Sequence, residues 1–332
     1  MNRIPHCRLP GTSLNASSLC LGGVFFGNEL DERATFALLD RFAELGGNFI
    51  DTARIYSDWV PGETSRSERI LGDWIKSHAR RDTLVISTKG AHPSLQSLDQ
   101  PRTSLPEIRA DLEGSLTSLR LETIDLYWLH RDDPARPVEH FIDLLNTFVR
   151  EGKVRAFGAS NWTAARLRAA NSYALESGQL GFAADQPFWC LGVAQSRPPP
   201  FSGYVKFDRE LDRFHRETSL PVVPYTSQAN GFFSKFALPP QEQPKDFENH
   251  NFHTPPNVAA ALIVMELASA KRVTPGAIVL GYLLSRSYPV FPIIGCRTLA
   301  QLEDSAAAAQ VRLSADELQR LENVSQSGLL VH

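Results

Sequence analysis

Cysteine is scarce in this chain, and long apolar runs are absent. The four cysteines among the 332 residues are Cys7, Cys20, Cys190 and Cys296, and none belongs to a Cys-x-x-Cys pair. This scatter argues against a disulfide framework and against a zinc knuckle. No apolar run reaches the ~20 residues of a membrane-spanning helix, and the start MNRIPHCRLPG lacks a signal-peptide core. We therefore expect a cytoplasmic protein with reduced thiols and no membrane partner.

A strong net charge is also missing. The chain has 34 basic and 37 acidic residues, for a formal net charge of −3. This balance gives no electrostatic reason to expect a nucleic acid as partner. Hydrophobic residues make up 42% of the sequence and charged residues 21%, as in a globular protein with a sizeable core.

A repeated pattern of short apolar runs and longer helical stretches organises the chain. A polar residue stands at or near the point where most runs stop, and in the segment that follows apolar residues recur every three or four positions. The runs occupy residues 17–23, 48–53, 83–90, 123–130, 153–161, 181–186, 220–228 and 289–297. Eight strand–helix units predict an α/β fold: a (β/α)8 TIM barrel forming a single domain over residues 1–332.

Some segments fall outside this repeat. The turn-rich stretch 8–17 predicts an N-terminal hairpin that closes the barrel floor, and the tail 314–332 predicts an extra C-terminal helix. Between residues 256 and 286 we expect two helices, the second capped by Thr274 with Pro275 as its first residue. Residues 227–256 form a loop long enough to serve as a lid or specificity loop.

Polar residues stand where nearly every predicted strand ends. In a barrel these ends meet at the carboxyl-terminal face, where active sites lie. The set is Gly22, Gly23, Asp51, Lys89, His130, Ser160, Asn161, Gln186, Tyr225 and residues 295–297. Taken singly, Asp51 or Asn161 can be a helix cap, Lys89 a surface amine, and His130 or Tyr225 a core residue. Their convergence on one face favours an active site.

Three of these positions, Asp51, Lys89 and His130, together with Tyr56 predict a device that protonates a carbonyl oxygen. The phenol of Tyr56 has a reference pKa of about 10, and an adjacent Lys89 ammonium would lower it. Asp51 would keep Lys89 charged and oriented, and His130 would donate a hydrogen bond to the same oxygen. Such a site supplies a proton but no electrons, so the hydride must come from a cofactor.

Other chemistries find less support in the sequence. No Gly-x-Gly-x-x-Gly opens a βαβ unit, and GGVFFG lacks the features of a phosphate loop. The residues nearest to a metal-ligand set are His92, His130, Asp132, Asp133 and His140, and their spacing does not fit one. A glycosidase needs two carboxylates on separate strand ends, and only Asp51 stands out. We predict no metal.

Seven motifs together resemble the aldo-keto reductase superfamily over nearly the whole chain. They are DTARIYS (51–57), SERILG (67–72), STKG (87–90), IDLYWLHRDD (124–133), GKVRAFGASNW (152–162), ADQ (184–186) and IIGCRTLAQLEDS (293–305). The resemblance implies a catalytic tetrad of Asp51, Tyr56, Lys89 and His130, with Tyr56 as general acid. It also implies an oxidoreductase that reduces an aldehyde or ketone by direct hydride transfer from NADP(H).

The same resemblance assigns the cofactor contacts. Ser160, Asn161 and Gln186 would hold the nicotinamide carboxamide, and Tyr225 would stack on its ring. The complete expected set is Gly22, Gly23, Ser160, Asn161, Gln186, Tyr225, Thr226, Ser227, Gln228, Gly231, Gly295, Cys296, Arg297, Gln301, Asp304 and Ser305. A guanidinium at Arg297 suits the 2′-phosphate and favours NADP(H) over NAD(H). Ser305 stands where the family commonly has Asn, and Thr226-Ser227-Gln228 where it often has Ser-Pro-Leu.

Aromatic residues are the candidates for the substrate walls. We expect Phe25, Trp59, Trp128 and Trp162 to line the site, with Trp189, Phe232 and Phe233 as further candidates. Asp58, Arg131 and Asp132 near the rim favour a sugar-related or small polar carbonyl substrate. The alternative function is a nicotinamide-binding regulatory subunit like those associated with ion channels. The sequence leaves the choice between monomer and homo-oligomer open.

Overall fold

Short strands and longer helices alternate along the computed structural model, which describes residues 3–77, 81–195 and 203–325. The strands are β1 (His6–Arg8), β2 (Asn15–Ser17), β3 (Cys20–Gly22), β4 (Phe49–Asp51), β5 (Val85–Gly90), β6 (Ile124–Leu129), β7 (Val154–Ser160), β8 (Asp185–Gln186) and β9 (Ile293–Ile294). A parallel sheet has the order β8-β7-β6-β5-β4-β3-β9. Its polar strand ends therefore lie side by side.

The chain around Val222 closes this sheet into a barrel. Val222 bridges in parallel to Asp185 on one side and to Val290 on the other. The amide of Val222 donates to the carbonyl of Pro289 over 2.9 Å. The flanking prolines, Pro221, Pro224, Pro289 and Pro292, have no N–H to donate, so the pairing here is limited to isolated bridges. The predicted (β/α)8 architecture is confirmed, but the run 220–228 is not a regular strand.

The N-terminal hairpin packs into the barrel floor, as predicted. Strands β1 and β2 pair antiparallel, and their connection carries Leu9 and Leu14. Both leucines belong to a buried cluster with Leu126 and Trp128 of β6. Burying a leucine contributes about 1.5–3 kcal/mol, so the hairpin stabilises the end of the barrel opposite the strand carboxyl ends.

Helices cover the outside of the barrel. They are α1 (Glu32–Glu44), α2 (Arg66–Ser77), α3 (Leu105–Leu119), α4 (Val138–Arg150), α5 (Ala164–Glu176), α6 (Arg209–Thr218), α7 (Phe232–Phe236), α8 (Pro255–Lys271), α9 (Pro275–Leu284), α10 (Leu299–Ala307) and α11 (Ala315–Ser325). Thr274 caps α9 by accepting from the amide of Ala277, so the predicted split between α8 and α9 is confirmed. None of the helices in the described ranges could cross a membrane.

The long loop 227–256 packs through its own aromatic residues, and the extra C-terminal helix packs on a neighbouring helix. In the loop 227–256, Phe232 stacks on Phe247 with ring centroids 5.5 Å apart, and Phe232 and Phe233 are fully buried. The predicted C-terminal helix is α11, which packs on α8 and is joined to it by the Lys271–Glu317 ion pair at 2.9 Å.

Candidate active site

A buried ion pair between Asp51 and Lys89 forms the base of the site. Asp51 ends β4, and Lys89 lies near the end of the adjacent strand β5. The Lys89 amine donates to an Asp51 carboxylate oxygen and, over 2.7 Å, to the carbonyl of Thr52. Asp51 also accepts from Ser87 Oγ at 2.6 Å and from Gln186 Nε2 at 3.2 Å. Asp51 is therefore not a helix cap.

Tyr56 lies directly above this pair. The Lys89 amine is 3.3 Å from the Tyr56 phenolic oxygen. Burial raises the pKa of Tyr56 and outweighs the opposing charge of Lys89, whose effect is also offset by Asp51. Lys89 has the expected lowering effect on the pKa of Tyr56, but the net direction is upward because burial is the larger cause. Burial alone would lower the pKa of Lys89, but Asp51 and Tyr56 outweigh it and raise that pKa.

His130 follows β6 and faces Tyr56. The two rings are nearly perpendicular, with centroids 6.1 Å apart. Burial, together with nearby His92 and Arg131, holds the pKa of His130 well below its usual value, so the ring is neutral. Nothing in the described part of the chain hydrogen-bonds to its buried Nδ1. An orphaned lone pair costs less than an orphaned N–H, which favours the proton on Nε2.

The neighbouring strand ends form a connected polar rim. Asn161 adopts a left-handed backbone conformation with φ of 63°. Its amide nitrogen donates to the carbonyl of His130 at 3.2 Å, and its amide oxygen accepts from the Tyr225 hydroxyl at 2.8 Å. Ser160 Oγ donates to the carbonyl of Gln186 at 2.8 Å. Thr163, not Asn161, caps the following helix α5.

A cavity of about 320 Å³ opens above these residues. Its lining consists of Val24, Ile55, Tyr56, Trp59, His92, Leu95, Leu98, His130, Arg131, Ser160, Asn161, Gln186, Tyr204 and Tyr225. The predicted wall residue Trp59 lies here, 48% exposed and with its ring centroid 6.4 Å from that of Tyr56. Leu95, Leu98 and Tyr204 were missed by sequence reasoning, because they lie on loops without periodic patterns.

Two of the expected substrate contacts belong to the core instead. Trp128 is fully buried inside the barrel. Trp162 is fully buried outside it, with its ring centroid 5.4 Å from that of Phe141. Trp189 is likewise buried and stacks on Phe207 at 4.0 Å. Apolar size alone cannot tell a pocket wall from a core residue.

Of the polar residues expected at the rim, only one lines the cavity. The carboxylate of Asp132 forms an ion pair with Arg166 at 2.7 Å, and Asp58 accepts from the amide of Ser65 at 2.6 Å. Neither lines the cavity, whereas Arg131 does. The geometric basis for expecting a sugar-like substrate is thereby reduced to Arg131 alone.

The residues expected around the adenosine form a second group, on the connection that follows β9 and on helix α10. Arg297 stacks over Phe25, with its guanidinium carbon 3.8 Å from the ring centroid, and forms an ion pair with Glu29. Phe25 therefore lies beside Arg297 and does not line the cavity. The amide of Arg297 donates to Gln301 at 2.7 Å. Lys235, which was not predicted, is close enough for Arg297 to contribute to lowering its pKa, although burial is the larger cause.

Three of the remaining predicted residues, Ser227, Gln228 and Cys296, make contacts near this group. Gln228 Nε2 donates to Ser305 Oγ at 3.1 Å, and the thiol of Cys296 is 3.9 Å from the same oxygen. Ser227 donates to the carbonyl of Ile293. Thr226 and Gly231 have positive φ angles, at 57° and 76°.

At three of the predicted glycines, and at Gly276 beside the predicted Asp304, neighbouring atoms lie close to the backbone. A Cβ on Gly22 would lie 2.7 Å from Ile293, and one on Gly23 would lie 3.1 Å from Ser67 Oγ. A Cβ on Gly295 would lie 3.2 Å from the ring of Phe25, and one on Gly276 would lie 3.0 Å from the carboxylate of Asp304. Within the described ranges no cluster of three potential metal ligands occurs.

A barrel with a tyrosine, a paired lysine and a neutral histidine at its carboxyl-terminal face has the residues for proton transfer to a carbonyl oxygen. Comparison with known proteins shows which family of proteins has this arrangement. A family model described as the Aldo/keto reductase family matches residues 18–326. The chain belongs to this family and is an oxidoreductase.

Relatives from fungi and bacteria resemble nearly the whole chain. Norsolorinic acid reductase stcV of Emericella nidulans is 32% identical, over 95% of this chain and 79% of that protein. Aryl-alcohol dehydrogenase GME11368 of Pestalotiopsis microspora is 27% identical, over 94% of this chain and 80% of that protein. The uncharacterized oxidoreductase YrpG of Bacillus subtilis is 28% identical, over 94% of this chain and 93% of that protein.

Proposed function

We propose that this protein reduces an aldehyde or ketone to the alcohol with NADP(H), and that Tyr56 is the general acid. The observation that carries the proposal is the position of the Lys89 amine, paired with Asp51 and 3.3 Å from the Tyr56 oxygen. An ammonium fixed at that distance stabilises the phenolate that Tyr56 becomes on giving up its proton.

The raised pKa of Tyr56 agrees with this role in the absence of a substrate. Burial keeps the phenol protonated at neutral pH, so an acid is available for each turnover. The neutral His130, with its proton on Nε2, can donate a hydrogen bond to the carbonyl oxygen and orient it.

The cavity also has the groups that a nicotinamide needs. Ser160, Asn161 and Gln186 supply hydroxyl and amide groups, and Tyr225 supplies an aromatic face; all four line the cavity that contains Tyr56. When bound, the nicotinamide supplies the hydride. Arg297 and Lys235 are the cations suited to the 2′-phosphate, and for this reason we favour NADP(H).

Two observations narrow the proposed substrate class within carbonyl compounds in general. The relatives named for norsolorinic acid and for aryl alcohols, together with the wall of Trp59, Leu95 and Leu98, support a substrate with an apolar or aromatic body. A sugar-related or small polar carbonyl remains the sequence-based prediction. Comparing kcat/KM for aryl aldehydes and hydroxyaldehydes decides between them.

The loss of NADPH absorbance with an aldehyde panel tests the proposal, with Tyr56→Phe as the comparison. We expect turnover by the wild type and a loss of at least about 100-fold in kcat for the variant, the usual scale of general acid catalysis. Equal turnover by both would refute the role of Tyr56. If both bind NADPH, measured by quenching of tryptophan fluorescence, and neither turns over, the protein is a nicotinamide-binding regulatory subunit instead. A parallel titration with NADH measures the cofactor preference.

A further inference from the structure

One wall of the cavity is apolar and another carries a single cation. The side chains of Ile55, Trp59, Leu95 and Leu98 provide the apolar wall. The only lysine or arginine in the described lining is Arg131, and that lining contains no aspartate or glutamate. Lys89, below the cavity, is already neutralised by Asp51. The cavity therefore has one positive charge that no acid in the described lining balances.

The contacts of Arg131 leave this charge without an anionic partner. The side chain is 6% exposed, and its Nη1 donates to the carbonyl of His130 at 2.7 Å. Its guanidinium carbon lies 4.3 Å from the centroid of the Tyr204 ring. No carboxylate of residues 3–77, 81–195 or 203–325 forms an ion pair with it, and the adjacent Asp132 is bound to Arg166. Buried arginines normally have a paired carboxylate, so this one is available to a ligand.

His92 holds the guanidinium in place without competing for an anion. Its Nδ1 is 2.7 Å from the carbonyl of Pro93, which can only accept, so Nδ1 carries the proton. Its Nε2 lone pair then faces Arg131 Nη2 at 3.5 Å. Burial is the main cause that lowers the pKa of His92 to about 4, with Arg131 adding to it. His92 is therefore neutral at physiological pH and repels no cation.

We propose that Arg131 is a specificity residue that binds an anionic oxygen of the substrate, a carboxylate or an ionised phenol. The apolar wall would hold the body of the same molecule, and the reducible carbonyl would lie at Tyr56 and His130. The substrate class is thus an acidic carbonyl compound with an apolar or aromatic body. This inference rests on the proposed reductase function, since it names the substrate of that same site.

Arg131 could instead serve only to hold the backbone at His130. Loss of that support would lower activity on every substrate by the same factor, whereas loss of an anion site would affect only acidic substrates. The ratio of kcat/KM for matched substrates therefore separates the two roles. Suitable pairs are carboxybenzaldehyde with its methyl ester, and hydroxybenzaldehyde with methoxybenzaldehyde, the first member of each pair being measured above its pKa.

We expect the wild type to prefer the acidic member of at least one pair. Arg131→Gln should lower kcat/KM for that member by roughly 10- to 100-fold, the scale of a lost charge-assisted hydrogen bond, and leave the neutral member within about threefold. Arg131→Lys keeps the charge but loses the planar fork, so it should be intermediate. Arg168→Gln, at an exposed arginine paired with Glu217, is the matched control and should leave both rates unchanged.

A binding measurement separates failure of this inference from failure of the proposed function. Calorimetry with benzoate and with benzyl alcohol, in the presence of NADPH, should show tighter binding of benzoate that Arg131→Gln abolishes and Tyr56→Phe retains. If no aldehyde is reduced but this pattern holds, the reductase proposal fails and the anion site stands. The anion site is overturned if the wild type shows no preference for the acidic substrate. It is also overturned if Arg131→Gln, while folded by circular dichroism, lowers kcat/KM equally for the acidic and the neutral substrate.

Discussion

The Lys89 amine lies 3.3 Å from the phenolic oxygen of Tyr56. The same amine forms a buried ion pair with Asp51 and donates to the backbone of Thr52. Three contacts thus hold the lysine in one orientation beneath the phenol. Under the proposed mechanism, the acidity of Tyr56 depends on the positive charge of Lys89, which Asp51 keeps in place.

Asp51→Asn tests this dependence. The substitution leaves a buried ammonium without its counter-ion, which should lower kcat by roughly 100-fold or more while the Kd for NADPH stays within about threefold. Removing one partner of a buried pair should also reduce the free energy of unfolding by about 3–5 kcal/mol. Steady-state kinetics and a cofactor titration measure the two effects. A variant that loses NADPH binding but keeps turnover would contradict the assignment.

Glu29→Gln should strengthen the binding of NADPH. In the structure Glu29 forms an ion pair with Arg297, the arginine that we assign to the 2′-phosphate, and both side chains are about half exposed. An exposed pair contributes up to about 1 kcal/mol, so its loss should improve the Kd by no more than roughly fivefold. Binding of NADH should not change. Arg297→Gln should weaken NADPH alone; equal weakening of both cofactors would count against the assignment.

His215→Gln should destabilise the fold without affecting the chemistry directly. Both ring nitrogens of His215 face acceptors: Nδ1 is 2.8 Å from the carbonyl of Leu220 and Nε2 is 3.2 Å from a carboxylate oxygen of Asp185. His215 and Asp185 are both fully buried. Breaking a buried pair should cost about 3–5 kcal/mol in urea denaturation.

The control for that measurement is Arg168→Gln, which removes an exposed ion pair with Glu217. It should cost no more than about 1 kcal/mol. If the two variants lose equal stability, the contact between His215 and Asp185 does not have the expected role.

Glu68 should make the stability depend on pH. Its carboxyl group is fully buried and accepts from Thr88 Oγ1 at 2.6 Å, and burial raises its pKa to about 7. Because the folded protein keeps a proton that the unfolded chain has already released, stability should fall as the pH rises from about 4.5 to about 7. The total loss in the free energy of unfolding over this pH range is on the order of 3 kcal/mol.

Glu68→Gln removes this titration while it keeps an acceptor for Thr88. The difference in unfolding free energy between variant and wild type should therefore shift in favour of the variant between pH 5 and pH 8. Urea denaturation at the two pH values measures the shift. A difference that does not change with pH would show that Glu68 does not titrate in this range.

Much of the site could be predicted from the sequence because the relevant signals are local. Asp51, Lys89 and His130 each end or closely follow an apolar run, and the barrel brings such ends together. The substrate side could not be predicted in the same way. Trp59 lines the cavity but Trp128 and Trp162 are core residues, although all three have the same side chain.

The sequence by itself determined the order of strands and helices, the positions of the strand ends and the family. Periodicity and capping act over a few residues, so they can be read along the chain. The tertiary structure decided that Arg131 faces the cavity whereas Asp132 is bound to Arg166, and that the pKa of Tyr56 is raised. These outcomes depend on burial and on contacts such as that of Gln186 with Asp51, 135 positions apart. Only folding brings such groups together, and only then does desolvation change their chemistry.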